Sequence, residues 1–354
     1  MVYPKGIQSV TRRKTYMTIT AKELAEKLGV SRSTISMVYN NKKGISEETR
    51  TMVLQAAQKY GYSHVQRKRV YEYPSAIQYI IFSKHGNVVS DTAFFASLLQ
   101  GIDAESKRLG YMLHVSYFYG QENFEDQMSA ILNRHPTGLI LLATEMDPED
   151  LIPFKQTGLP LVILDSYVDA DRSDCITINN VQSAYNATSH LIHRGHTYIG
   201  HLSSKITIKN FEERSDGFQA SIQKHSSNGE LRSVVVNVGS TSETAYADMR
   251  AYLDTAPELP TAFFADNDII ASACMKALKE YGYKIPEQIS IIGFDDMPFC
   301  DMIDPPLTSM HVPKQMFGQR AVTMLDQQIH GNTSDHIKME VSTTLIERKS
   351  VARR

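Results

Sequence analysis

Cysteine is scarce in this chain: three in 354 residues, at Cys175, Cys274 and Cys300. They are odd in number, form no CxxC and have no histidine nearby at zinc-finger spacing. Neither a disulfide framework nor a zinc module is expected; buried, reduced thiols are. No apolar run reaches the ~20 residues that cross a bilayer, so no membrane association is expected. Residues 1–16 carry Lys5, Arg12, Arg13 and Lys14 without an apolar h-region, so no export signal is read and a cytoplasmic location is expected. A nucleophile elbow, a P-loop, an HExxH and a glycine-rich dinucleotide fingerprint are all missing. The chain is therefore not read as an enzyme, and no cofactor is expected. His190, His193 and His196 repeat at a spacing of three, as metal ligands do, but Gly195 interrupts the helix that would align them, and no metal site is assigned.

What is present is an ordinary globular composition, 42% hydrophobic and 21% charged. The length exceeds one ordinary core and implies a small domain plus a larger one, or two lobes. The net charge of −2 conceals segregation. Residues 1–70 hold 14 Lys and Arg against 4 Asp and Glu, a net of +10; the remainder holds 23 against 35, a net of −12. A basic module on an acidic body fits a polyanion-binding domain, with a merely solvated basic tail as the alternative.

Residues 20–62 carry helical punctuation. Thr20 and Glu23 form a capping box. Leu24, Ala25 and Leu28 make one apolar face, and Gly29 permits a tight turn. Val30 packs inward, Ser31 caps a second helix, and Ile35 and Val38 continue the inner face. Ser46 caps a third helix, with Glu47 and Glu48 in its first turn, and Val53, Leu54 and Ala57 are its expected inner stripe. Helix, short glycine turn, helix is the helix-turn-helix pattern, which presents the start of its second helix to a DNA major groove. Ser31, Arg32, Ser33, Thr34, Ser36 and Met37 occupy that start. Hydroxyls suit phosphates or base edges, and Arg32 suits a guanine edge.

From Ile77 the pattern changes to alternating strands and helices. Strands are expected at 77–82, 112–117, 138–142 and 161–164, with helices at 94–109 and 121–134. The alternation restarts with strands at 198–202, 234–238, 262–264 and 290–292. This predicts parallel sheets covered by helices, in two similar lobes with a ligand cleft beyond the carboxyl ends of the strands.

The stretch TITAKELAEKLGVSRSTISMVYN (18–40) resembles the headpiece of the lactose-repressor/galactose-repressor (LacI/GalR) family. Further resemblance follows in order: LIHRGH (191–196), RSDGF (214–218), LPTAFFADND (259–268), GYKIPEQISIIGFDD (282–296), PPLTSM (305–310) and LIERKS (345–350). The resemblance covers Thr18 to Ser350. It implies an all-α helix-turn-helix headpiece joined to a two-lobed α/β periplasmic-binding-protein-like domain with parallel sheets. The domains implied are a basic extension (1–17), a DNA-binding domain (18–62), a hinge (63–76) and an effector-binding and dimerisation domain (77–354).

The implied function is that of a transcription regulator, a repressor, acting as a homodimer on a palindromic double-stranded operator. Its effector is a small molecule, a carbohydrate. By the same resemblance Arg32, Ser33 and Met37 read bases, while Thr20, Ser31, Thr34, Ser36 and Asn40 hold phosphates. Arg214, Asn267 and Asp295 form the polar core of the effector site, Asp165 and Thr144 support it, and Phe95 is an apolar wall. Effector binding is expected to move the lobes and shift the population that binds DNA. The helices at 315–328 and after Phe94 are the implied dimer faces, and no tetramerisation helix is expected.

The chain departs from the family pattern at four places. Met37 replaces an arginine and suits a thymine methyl. Tyr71 replaces the leucine that wedges the minor groove, so a weaker bend is expected. Ser240 stands where an aromatic residue is common. The loop 84–91 is longer and more polar than usual; Lys84, His85 and Asp91 either face solvent or meet an acidic or phosphorylated sugar.

Overall fold

The computed structural model describes residues 21–39, 44–60, 75–86, 88–89, 93–167, 173–226, 231–331 and 335–354. The basic extension, Thr20, Asn40, Tyr71 and Asp91 lie outside these residues. Contacts divide the chain into two units, Met1–Tyr73 and Pro74–Arg354.

The first unit is three helices: α1 (Ala21–Leu28), α2 (Arg32–Tyr39) and α3 (Glu47–Lys59). Gly29 adopts φ +63°, and the Val30 N–H returns to the Ala25 carbonyl (3.1 Å), closing α1. Ser31 caps α2 by accepting from the Thr34 N–H (3.1 Å), and Ser46 caps α3 by accepting from the Thr49 N–H (3.2 Å). Leu24, Ala25, Ile35, Val38, Val53, Ala56 and Ala57 form the core, with Leu28, Val30, Ile45 and Tyr60 packed around it. Leu54 is not part of it. It is 46% exposed, because a helix turns ~100° per residue and the inner stripe runs Val53, Ala56, Ala57, Tyr60.

The second unit is two lobes, each a six-stranded sheet wrapped by helices. The first lobe contains β1 (Ala76–Ser83), α4 (Ala93–Leu109), β2 (Met112–Tyr119), α5 (Phe124–Leu132), β3 (Gly138–Leu142), α6 (Pro148–Gln156), β4 (Leu161–Leu164) and β5 (Asp174–Ile178). The second contains α7 (Asn180–His193), β6 (Tyr198–Ser204), α8 (Lys209–His225), β7 (Arg232–Val238), α9 (Ser242–Asp254), β8 (Ala262–Ala265), α10 (Asp268–Glu280), β9 (Ser290–Asp295), a 3-10 turn (Pro298–Asp301) and β10 (Thr308–His311). The chain then returns through α11 (Lys314–His330) and β11 (Lys338–Val341) to the first lobe and ends with β12 (Thr344–Ile346) in the second. Strand orders are β11-β5-β4-β3-β1-β2 and β12-β10-β9-β8-β6-β7. Pairings are parallel except that of β10 with β12.

Three connections therefore cross between the lobes: β5 to α7, β10 to α11 and β11 to β12. The order reverses beside β1 in one sheet and beside β6 in the other. Such switch points open crevices at the carboxyl ends of strands, so the topology alone places a cleft at the loops after β1, β3, β6 and β8.

Side chains alternate faces along β1: Ile77, Tyr79 and Ile81 join one core, Ile80 and Phe82 the other. The second core is aromatic, with Phe118 5.1 Å from Phe154 and 4.9 Å from Phe124. α5 starts later than the pattern suggested because Asn123 caps it, accepting from the Glu125 N–H at 2.9 Å. β5, β10, β11 and β12 were not read from sequence. α4 and α11, the implied dimer faces, lie side by side in the first lobe. They pack on each other so closely that a Cβ on Gly101 would meet the Gln315 carbonyl oxygen at 2.0 Å, and one on Gly318 the Leu98 carbonyl oxygen at 2.3 Å. Exposed apolar side chains of this unit include Met112, Val115, Tyr117 and Tyr119 on β2, and Met302.

Candidate functional site

The cleft between the lobes is a cavity of about 470 Å³, within the ~300–1,000 Å³ usual for small-molecule sites. Phe95, Thr144, Asp165, Arg214, Asn267 and Asp295 all line it. They arrive from α4, the ends of β3, β4, β8 and β9, and from α8.

Arg214 is buried on α8. Its Nε donates to Asn180 Oδ1 (3.0 Å), its Nη1 to the Asp266 carbonyl, and its Nη2 lies 3.7 Å from Asp295 Oδ1. The guanidinium stacks on Phe294, 3.7 Å from the ring centroid. Asp216 and Glu212 take no part in holding it; the partners are internal. Asp295 ends β9 with φ +100°, followed by Asp296 at +56°. Such backbone costs a non-glycine residue roughly 1–3 kcal/mol. Lys314 offsets the strain by donating to the Asp295 carbonyl and to the Asp296 carbonyl (3.2 Å). Burial raises the Asp295 pKa, opposed by Arg214 and Lys314.

Asp165 faces this pair from the first lobe, also left-handed at φ +66°. Its Oδ2 accepts from the Thr144 hydroxyl (2.7 Å). Its Oδ1 is buried beside Asn210 without a hydrogen bond of good geometry. Burial pushes its pKa up to about 6, against the pull of Thr144 and Arg214. Asn267 caps α10, its Oδ1 accepting from the Ile270 N–H (2.9 Å), so its NH2 is the group left for a ligand. Asp268 lies beneath, accepting from the Ser309 hydroxyl (2.6 Å) and the Met297 N–H (2.8 Å). Burial, and then the Asp295 charge, push its pKa up to about 7. Gly293 makes room for it, since a Cβ there would meet Asp268 Oδ1 at 2.1 Å.

Asn210, Phe211, Thr241, Phe299, Phe94 and Val88 also line the cavity and were not anticipated. Phe211 and Asn210 sit one helical turn before Arg214, a signal within reach once Arg214 is placed. Ser240 is buried in the wall, so the departure noted there falls inside the cleft. Lys84 is absent from the cavity wall; it is paired with Asp147 and with Asp150 (2.8 Å). His196 lies buried past the end of α7 with Nδ1 2.9 Å from Thr261 Oγ1, and burial lowers its pKa to about 4. Among the described residues no group of three potential ligands can hold a metal.

On the headpiece, Ser31, Arg32 and Ser33 are exposed at the start of α2, while Thr34 and Met37 are half-buried. Ser31 Oγ lies 2.9 Å from Thr34 Oγ1. The Ser36 side chain lies outside the description.

A model of the bacterial regulatory proteins of the lacI family matches residues 20–64, and one of the periplasmic binding protein-like domain matches residues 188–351. The transcriptional repressor PurR of Pasteurella multocida is 30% identical over 341 residues, covering 95% of this chain and 99% of that protein. The chain belongs to the LacI family. PurR of Haemophilus influenzae is 29% identical over 345 residues, covering 94% and 98%. Among solved structures, the lac repressor dimer bound to operator and an anti-inducer has a TM-score of 0.69 at 22% identity, covering 95% and 99%. The complex of the regulator CelR with cellobiose has a TM-score of 0.68 at 23% identity, covering 94% and 99%. This LacI-family chain is thus a DNA-binding transcriptional regulator with a two-lobed α/β domain of parallel sheets, and no helix among its described residues is long and apolar enough to cross a membrane.

Proposed function

We propose that this regulator is a cytoplasmic, non-enzymatic repressor whose affinity for a palindromic operator is set by an uncharged sugar bound between the lobes. The observation that carries the reading is Asp165 Oδ1, a buried carboxylate oxygen without a good partner at the wall of the cavity, facing the Arg214–Asp295 pair. A buried acceptor left unsatisfied costs about 1–3 kcal/mol. A sugar hydroxyl donating to Asp165 removes that cost, while neighbouring hydroxyls accept from Arg214 and the Asn267 amide and donate to Asp295. Thr144 orients Asp165, and Phe95 covers the ligand's apolar face. Regulators of similar fold from Enterococcus faecium and Weissella paramesenteroides hold ribose and glucose, which supports the class.

The lobes are joined by three crossings, and a ligand that binds both walls favours the closed population. Operator affinity then follows the ligand's preference for one state. Arg32, Ser33 and Met37 read bases; Thr20, Ser31, Thr34, Ser36 and Asn40 hold phosphates. Dimerisation supplies the two-fold axis of a palindrome, and the exposed apolar residues of β2 and Met302 suit a second copy. Selection of bound duplexes from a random pool tests the DNA half of the reading. The expected product is an inverted repeat whose affinity changes with sugar; an asymmetric or sugar-insensitive site refutes it.

A further inference from the structure

Glu145 follows Thr144, yet its own side chain is fully buried and does not line the cavity. Its two oxygens gather five backbone donors from the loop after β1. Oε2 accepts from the N–H groups of Lys84 (2.9 Å), His85 (3.1 Å) and Gly86 (3.0 Å). Oε1 accepts from those of Val88 (2.9 Å) and Val89 (3.1 Å). His85 Nδ1 adds a contact to Oε2 at 3.4 Å. Consecutive N–H groups converging on one point form a nest for an anion, and Gly86, at φ +71°, supplies the left-handed residue that curls it. Burial opposes the Glu145 charge, but the backbone donors and His85 outweigh burial and hold the carboxyl below its ordinary value. The same loop brings Val88 to the cavity wall, and Lys84 ties it again to Asp147 and Asp150.

We propose that Glu145 is a positioning residue, an internal anion that fills the nest of this loop, fixes the Val88 wall of the effector cleft and closes the loop to acidic ligands. The part concerning the effector rests on the reading of the cleft given above. Without Glu145, five converging N–H groups beside Lys84 would be a ready subsite for a carboxylate or phosphate. With Glu145 seated, those donors are committed and the local charge is negative, so the cleft favours effectors without an anionic group at this end.

Amide hydrogen exchange in the full chain, without effector, tests the clamp directly. Glu145→Gln keeps the side-chain volume but loses the charge and turns one acceptor oxygen into a donor. The amides of Lys84, His85, Gly86, Val88 and Val89 should then exchange at least about tenfold faster, while those of β3 and β4 stay as in wild type. Glu145→Ala empties the nest for an added anion. Sodium acetate, and not sodium chloride at equal ionic strength, should restore slow exchange in that variant and leave wild type unchanged. Loop exchange at the wild-type rate in Glu145→Gln would overturn the proposal, as would acetate acting alike on wild type and Glu145→Ala. If Glu145→Ala does not fold, the glutamine variant decides alone. No sugar enters the measurement, so a failed clamp and a failed sugar assignment are separate results.

Discussion

Arg214→Ala is the sharpest perturbation of the cleft, and its cost is visible in the packing. The guanidinium bonds Asn180 and the Asp266 carbonyl, faces Asp295 at 3.7 Å and stacks 3.7 Å from Phe294. Removing it leaves a largely buried carboxylate with Lys314 alone to oppose its charge, a carbonyl and an amide without a donor, and a void against an aromatic ring. Breaking a buried pair on one side costs about 3–5 kcal/mol. At roughly 2–4 °C per kcal/mol for a domain of this size class, the Tm of the large unit should fall by about 6–20 °C. Sugar response should vanish as well, while operator binding at low temperature persists because the headpiece is a separate unit. Scanning calorimetry and operator titration on the same preparation measure both. A Tm within a degree or two of wild type would refute the buried role assigned to Arg214. Retained sugar response in a stable variant would refute its role in the site.

Other substitutions probe different layers of the account. Arg32→Ala should weaken specific operator binding by roughly 1–3 kcal/mol and relax a single base position; equal affinity in a competition assay would remove Arg32 from the base-reading set. Gly101→Ala places a Cβ 2.0 Å from the Gln315 carbonyl oxygen and should destabilise the α4–α11 contact by about 1–3 kcal/mol, read from the urea midpoint; an unchanged midpoint contradicts the close packing. Asp165 is held protonated to about pH 6 by burial, so its contribution to stability falls as pH rises from about 4 through 6, where the unfolded carboxyl is already ionised. Asp165→Asn, which stays neutral, should gain stability relative to wild type across that window; a constant difference would contradict the raised pKa.

The alternation of strands and helices made the two-lobed α/β fold legible, whereas the cleft residues were read through the family resemblance. Arg214 and Asp295 sit in contiguous motifs, RSDGF and GFDD, so each was visible in a short window. Thr144 and Asp165 came from the same resemblance, and each lies just past a buried apolar strand, β3 or β4. The strands β5, β10, β11 and β12 escaped because they are three to five residues long and mix polar with apolar side chains, a pattern that periodicity cannot separate from loop. Leu54 was misplaced because its neighbour Val53 is also apolar and either could start the inner stripe. Glu145 was invisible for another reason. Its partners are backbone N–H groups about sixty residues earlier, which leave no mark in side-chain identity.

The most direct test of the cleft assignment is a thermal-shift screen of the purified chain against neutral sugars, sugar phosphates and nucleosides. The account predicts that a neutral sugar stabilises the large unit, by about 2.7 kcal/mol at a hundred times its Kd, and that the shift disappears in Asp165→Asn. Stabilisation by sugar phosphates or nucleosides alone, or an equal shift in Asp165→Asn, would contradict it.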